Sequence, residues 1–206
     1  QVNVKLMTMI AMRATVLSIE RGNSAFAAAD YLSYGLMLGA MTQDHRTLED
    51  YGQVALALLE RYPDRGVESV VKFLYGGLIS PWHHPLRASF PLLRGAFSAG
   101  MDAGMLYYAS MSSQALAVTM VHAGCPLAQC EGGLTTTLKL ATRFGISPIL
   151  AFATILDQIV AYLQGHRHAW PDAPPIDLES QTATHLRLQI LELSLFFRRF
   201  DTAREL

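Results

Sequence analysis

LYYASMSSQALAVTMVHAGCPLAQCEGGLTTTLKLATRFG, residues 106–145, holds two apolar-periodic segments, Leu106 to His122 and Ala128 to Arg143, joined at Gly124-Cys125-Pro126. Apolar and small residues recur three and four positions apart on both sides of the turn, which predicts two helices. Gly124 supplies a helix stop, and Pro126 suits a turn better than a helix interior. The same plan stands twice upstream. Ser24 to Arg61 splits at Gln43-Asp44-His45, and Gly66 to Gly104 splits at Ser80-Pro81-Trp82-His83-His84-Pro85. A helix-loop-helix rhythm of about 40 residues is the pattern of an α-solenoid, whose units bury their apolar faces by stacking on neighbours. Period-two alternation and Asn-Gly hairpin turns are absent from the sequence. The expected fold is all-α, a solenoid of stacked antiparallel helix pairs with no β-sheet.

Finer boundaries follow from caps and breakers. Lys5 to Glu20 forms a first helix, stopped at Arg21-Gly22-Asn23. Ser24 is the expected N-cap of a helix over 25–41, rich in Ala and Gly, that lets a neighbouring backbone approach closely. Its partner runs from about Thr47 to Arg61. The second unit should break at Pro81 and Pro85 and resume at Leu86, with Pro91 in a first turn or at a kink. Ser147 is the expected N-cap of a helix over 149–165, with Pro148 at its first position. The domain expectation is one helical-repeat domain over 1–206, with units at 24–65, 66–104, 105–145 and 146–206 and a proline-rich loop at 166–179. A helix follows that loop, over about 180–197. The chain opens at Gln1 with a helix already under way, and Phe200 to Leu206 reads as the first turns of another. A piece excised from a longer polypeptide is therefore expected.

Composition narrows the function. Of the 206 residues, 51 % are hydrophobic and only 16 % charged, against roughly 25 % charged in typical domains. Such a chain either wraps a large core or has surface that another domain or subunit covers. A net charge of −1 supplies no attraction for nucleic acid or an anionic membrane. Cys125 and Cys130 do not make a disulfide framework, so a reducing, cytoplasmic setting is expected. No secretory signal and no transmembrane run is visible.

Motifs for chemistry are sparse. His83-His84 beside Trp82, and His166 and His168 beside Trp170, are the most metal-like features, but adjacent histidines diverge and third and fourth ligands are missing. Packing or capping is the preferred role, and no metal or cofactor is expected. Cys130, near a helix start, would be reactive if that end lowered its pKa; a buried small residue is the plainer reading. Thr135 to Thr137 and Ser110 to Ser113 offer hydroxyls without a partnering base. The methionines read chiefly as gap-fillers between helices. Tyr31, Tyr34, Tyr75, Tyr107 and Tyr108 fall on the first helices of successive units, which in a solenoid line the concave face. With Trp82 they are the expected surface for a protein partner or flanking domain.

The run Ser80-Pro81-Trp82-His83-His84-Pro85-Leu86, then Leu92-Leu93-Arg94-Gly95-Ala96-Phe97, Gly100-Met101-Asp102-Ala103-Gly104, Tyr107-Tyr108-Ala109 and Ala123-Gly124-Cys125-Pro126-Leu127, carries a family resemblance. The chain resembles the tetratricopeptide-like helical region of large bacterial signalling proteins. Those proteins join a serine/threonine-kinase-like domain, an AAA/STAND ATPase module, a GAF domain and a sensor histidine kinase. The resemblance implies a regulatory, non-enzymatic array between ATPase and kinase. It transfers no catalytic residue, since neither a phosphate-binding Gly-rich loop nor a kinase catalytic loop occurs here. Two other readings stay open: a small-molecule sensor with an apolar pocket whose polar end is His83, His84 or Arg87, and a homodimerisation element.

Overall fold

The computed structural model describes residues 4–166 and the helical positions 188, 191 and 194. The proline-rich loop expected at 166–179 and the helix after it lie, apart from His166 and those three positions, outside the described residues. The described residues are helices joined by short turns, bends and irregular links, with no strand among them. In chain order the elements are α1 (Val4–Arg21), α2 (Ala27–Thr42), α3 (His45–Arg61), α4 (Arg65–Leu74), a π-helical segment (Tyr75–Ile79), α5 (Ser80–His83), a 3₁₀ turn (Leu86–Ala88), α6 (Ser89–Asp102), α7 (Leu106–His122), α8 (Leu127–Phe144) and α9 (Ser147–Leu163). Two compact units divide the chain, Gln1–Ala123 and Gly124–Leu206. Helix α2 meets α3, and α4 meets α6. The helices of the third expected pair, α7 and α8, fall on either side of the division.

In the first unit α1 packs on α2, α2 on α3, α4 on α6 and α6 on α7. One core joins Ala28 and Leu32 of α2 to Leu48, Ala55 and Leu59 of α3, Val71 of α4 and Ile79 of the π segment. A second joins Phe73 to Leu93 and Ala96 of α6. Burying a side chain such as Leu32 or Leu93, both fully enclosed, stabilises by about 1.5–3 kcal/mol relative to leaving it in water. The small residues of α2 act as expected: Gly35 lies against Tyr51 and Gly39 against Leu48, so the α2 backbone approaches α3 closely. In the second unit α8 packs on α9.

Local differences from the sequence expectation have physical reasons. Ser24 is not the N-cap of α2; Phe26 holds that position with no side-chain hydrogen bond, and the Ser24 carbonyl accepts from Ala27 N at 3.1 Å. Ser147 lies inside α9 and Ile146 takes the cap position. Asp44 and Asp64 are the caps that function, accepting from Arg46 N and Thr47 N and from Val67 N respectively. The chain also does not break at Pro81. After α4 it widens into the π segment, and Pro81 falls in the first turn of α5, where a missing N–H leaves no helical bond unmade. Pro91 lies in the first turn of α6, as expected.

Candidate functional site

The widened turn at Tyr75–Ile79 organises the most polar place in the first unit. A π turn inserts an extra residue and re-aims the side chains around it, and such turns recur at functional sites. Here it sends Tyr75 inward, 3 % exposed, against α3. Gly52 makes the room: a Cβ there would lie 2.5 Å from the Tyr75 ring. Asp44 sets where α3 begins, and from that start Glu49 and Gln53, one turn apart, both reach Tyr75.

Glu49 is the hub. Its Oε1 accepts from the Tyr75 hydroxyl at 2.7 Å, from Gln53 Nε2 at 2.7 Å and pairs with His84 Nε2 at 3.2 Å. Gln53 Nε2 also donates to the Tyr75 hydroxyl at 2.8 Å. Burial pulls the Glu49 carboxyl up, but hydrogen bonds from Tyr75, Gln53 and His84 outweigh it, and the net direction is down. Burial, followed by the bond to Glu49 and its charge, pushes the Tyr75 phenol far above its ordinary range. A phenol so placed favours its protonated form. It therefore acts as a fixed donor pinning α3 to the π turn, not as a group that gives up a proton. Glu49 Oε2 and His83 Nε2 are buried and find no protein partner.

The other residues singled out from the sequence spread over several places. Trp82 and His83 stand in the helical turn α5, not on a loop. Trp82 is 68 % exposed and stacks on His45, ring centres 4.9 Å apart and 16° from parallel. The His83 and His84 rings are 6.4 Å apart and tilted, and Arg87 is exposed in the 3₁₀ turn. Tyr31 and Tyr34 are half-buried on α2, with Tyr34 edge-on to Tyr51 at 5.4 Å. On α7 Tyr107 is exposed, while Tyr108 is half-buried, edge-on to Phe73 at 6.1 Å. Tyr75 is thus brought to the Glu49 cluster and away from any surface. The remaining aromatics occupy separate positions on α2, α5 and α7.

Sequence reading missed the Glu49 hub, because its partners Tyr75 and His84 lie 26 and 35 positions away along the chain. It also missed the ion-pair ladder in which Arg65 joins Glu68 of α4 to Asp102 of α6, with Lys72 Nζ on Glu68 at 2.6 Å. The one available signal for the hub was the acid–amide pair at one-turn spacing, Glu49 and Gln53, opposite a stretch containing Gly76-Gly77 and two histidines. In the second unit Cys130 is buried, and burial first, then Cys125, pushes its thiol up. That direction is opposite to an activated thiolate. The hydroxyls of Ser110, Ser112 and Thr136 bond to carbonyls one turn back in their own helices. Among the described residues no three His, Cys, Asp or Glu side chains gather as metal ligands, and no helix is long and apolar enough to cross a membrane.

The fold and site together define a helical unit whose best-formed polar cluster is a structural clamp. Over 127 residues, 61 % of its length, the chain is 25 % identical to a hybrid signal transduction histidine kinase, type G, of Dictyostelium discoideum. The match spans 4 % of that protein. That relative is a histidine kinase, the class the family resemblance names, but from an amoeba, and the match does not bear on the tetratricopeptide-like or ATPase parts of the resemblance. No family model and no solved structure matches the chain.

Proposed function

We propose that this chain is a non-enzymatic interaction module of a multidomain signalling protein, a tetratricopeptide-like solenoid of helix pairs working in the cytoplasm. Its role is to bind a protein segment and couple that binding to a sensor-kinase output. The similarity to a short part of a signal transduction histidine kinase carries the reading. It is supported by the form of the clamp: Tyr75 and Gln53 both donate to Glu49 Oε1, so the cluster ties α3 to the π turn. Coupling works by shifts of packed helices as rigid bodies. Of the six aromatic candidates, Trp82 and Tyr107 are the contact residues, because both are exposed and large aromatics anchor interfaces. Tyr31, Tyr34 and Tyr108 back them from half-buried positions, and Tyr75 holds the scaffold.

Light-scattering mass of the chain, alone and mixed with the sensor-kinase and nucleotide-binding segments that this reading places in the same polypeptide, tests it. A defined complex with one segment, weakened at least tenfold by Trp82→Ala or Tyr107→Ala, is expected. A chain that ignores both segments contradicts the coupling role.

A further inference from the structure

Two cysteines come together where α8 begins. Pro126 holds the cap position there, with φ −54° and ψ 130°, and Leu127 is the first helical residue. Cys125 therefore stands one residue before the cap and Cys130 at the fourth helical position. Those are the two positions whose side chains pack on each other across a helix entry. Helical side chains lean back toward the N-terminus, and Cys130 does so: its Sγ lies 3.8 Å from the Pro126 carbonyl oxygen. That oxygen belongs to the residue next to Cys125, and the two thiols are near enough for the charge of one to oppose ionisation of the other. Their surroundings differ. Cys130 is fully enclosed, and Cys125 is half-buried. Gly124, just before Cys125, is exposed, has a φ of +67° and meets nothing on its side-chain side, so the turn that carries Cys125 has room to adjust.

We propose that Cys125 and Cys130 form a reversible disulfide site, closed by a small-molecule disulfide such as oxidised glutathione and opened by excess thiol. Cys125 reacts first, because it is the more accessible of the two and burial favours the protonated form of Cys130. The Cys125 thiolate attacks one sulfur of the oxidant, which makes a mixed disulfide and releases one glutathione thiolate. The end turn of a helix opens locally at little cost, and that opening lets Cys130 pass its proton to water. Its thiolate then attacks Cys125 Sγ, and the second glutathione thiolate leaves. In all, the chain gives up two protons and two electrons, and the oxidant takes them up as two glutathione molecules. The second step is intramolecular, with the attacking sulfur already beside its target, so the mixed disulfide is short-lived. The product closes a loop over residues 125–130 and fastens the first turn of α8 to the turn before it. This site belongs to the second unit, and its fate does not depend on the proposed function.

Electrospray mass of the 206-residue chain, before and after treatment with oxidised glutathione under native conditions, tests the site. The chain should lose both free thiols and become lighter by two hydrogens. The tryptic peptide 95–139, which contains both cysteines, should carry that loss, and excess reduced glutathione should reverse it. Cys130→Ala should stop at a stable glutathione adduct on Cys125. Cys125→Ala should leave Cys130 free, reacting at least tenfold more slowly than the wild-type pair. Cys125→Ala alters only a half-buried position and decides the matter if loss of the buried Cys130 thiol unfolds the chain. A wild-type chain that keeps both thiols, accumulates a glutathione adduct or cross-links to a second copy overturns the proposal. So does a Cys125→Ala chain whose Cys130 reacts at the wild-type rate.

Discussion

Helices α1 and α3 both pack on α2 and use opposite chemistry to do so. Helix α3 turns Leu48, Ala55, Leu58 and Leu59 into the core and shows charged residues such as Arg46, Asp50 and Glu60 to water. Helix α1 keeps Ala11, Ala14, Thr15, Leu17 and Ser18 buried or half-buried and shows Met9, Ile10, Met12, Val16 and Ile19 to water. Area removed from water decides how firmly a helix is held. By that measure α3 belongs to the unit's own core, while α1 is attached mostly by small residues and leaves much of its apolar area exposed. An element can thus be regular and well placed yet supply little of the stability of the body it sits on.

The sharpest way to break this comparison is inside the core that α2 and α3 share. Leu32→Ala removes a fully enclosed side chain and should cost about 3 kcal/mol of the first unit's unfolding free energy, read from urea denaturation followed by circular dichroism. A loss under about 1 kcal/mol would mean that this core collapses around the gap. Next in size is the clamp. Tyr75→Phe leaves the partly buried Glu49 with two donors in place of three and should cost about 1.5 kcal/mol. Tyr107→Phe, exposed on α7, should stay within about 0.5 kcal/mol.

Acid probes the same clamp more gently. The folded-state pKa values of Glu49 and Glu68 lie below their ordinary 4.5. Their contribution is therefore fully present above that value and is lost as pH falls through the depressed values. The urea midpoint should be level from neutral pH down to the ordinary glutamate pKa, then drop, and Tyr75→Phe should flatten part of the drop. The smallest effect belongs to α1. Met9→Ser and Ile19→Ser, measured at a concentration where the chain is monomeric, should change stability by less than about 0.5 kcal/mol. A larger loss would show that the exposed face of α1 is covered within the chain itself.

Much of the helical content was legible because it rests on local signals. Gly124 and Gly145 adopt the positive φ that ends α7 and α8, and Gln43-Asp44 marks a boundary through the Asp44 side chain. The α2–α3 approach was legible too, since glycines and alanines at helical spacing leave a face without bulk. The π turn was not, because Pro81 is a breaker on a local reading and only the packing of Tyr75 on Gly52 and of Gly76 on Leu92 shows that the chain stays helical through it; the break read at Pro85 is there, with His84 extended. The clamp was invisible for the same reason: Glu49 meets Tyr75 across 26 positions of sequence, and no local pattern reports a pairing of that range. The mounting of α1 could be half seen. Its apolar rhythm was plain, but which side would meet α2 depends on the small residues of α2 admitting a small-residue partner.

The claim that matters most is that the work of this chain is done by exposed aromatics on a clamped helical scaffold. Amide hydrogen exchange of the chain, with and without the sensor-kinase segment, addresses it directly. Added protection is expected in the peptides that carry Trp82 and Tyr107, with exchange around Leu32 and Ala55 unchanged. Unaltered exchange at both aromatics, or protection confined to peptides lacking them, would contradict it.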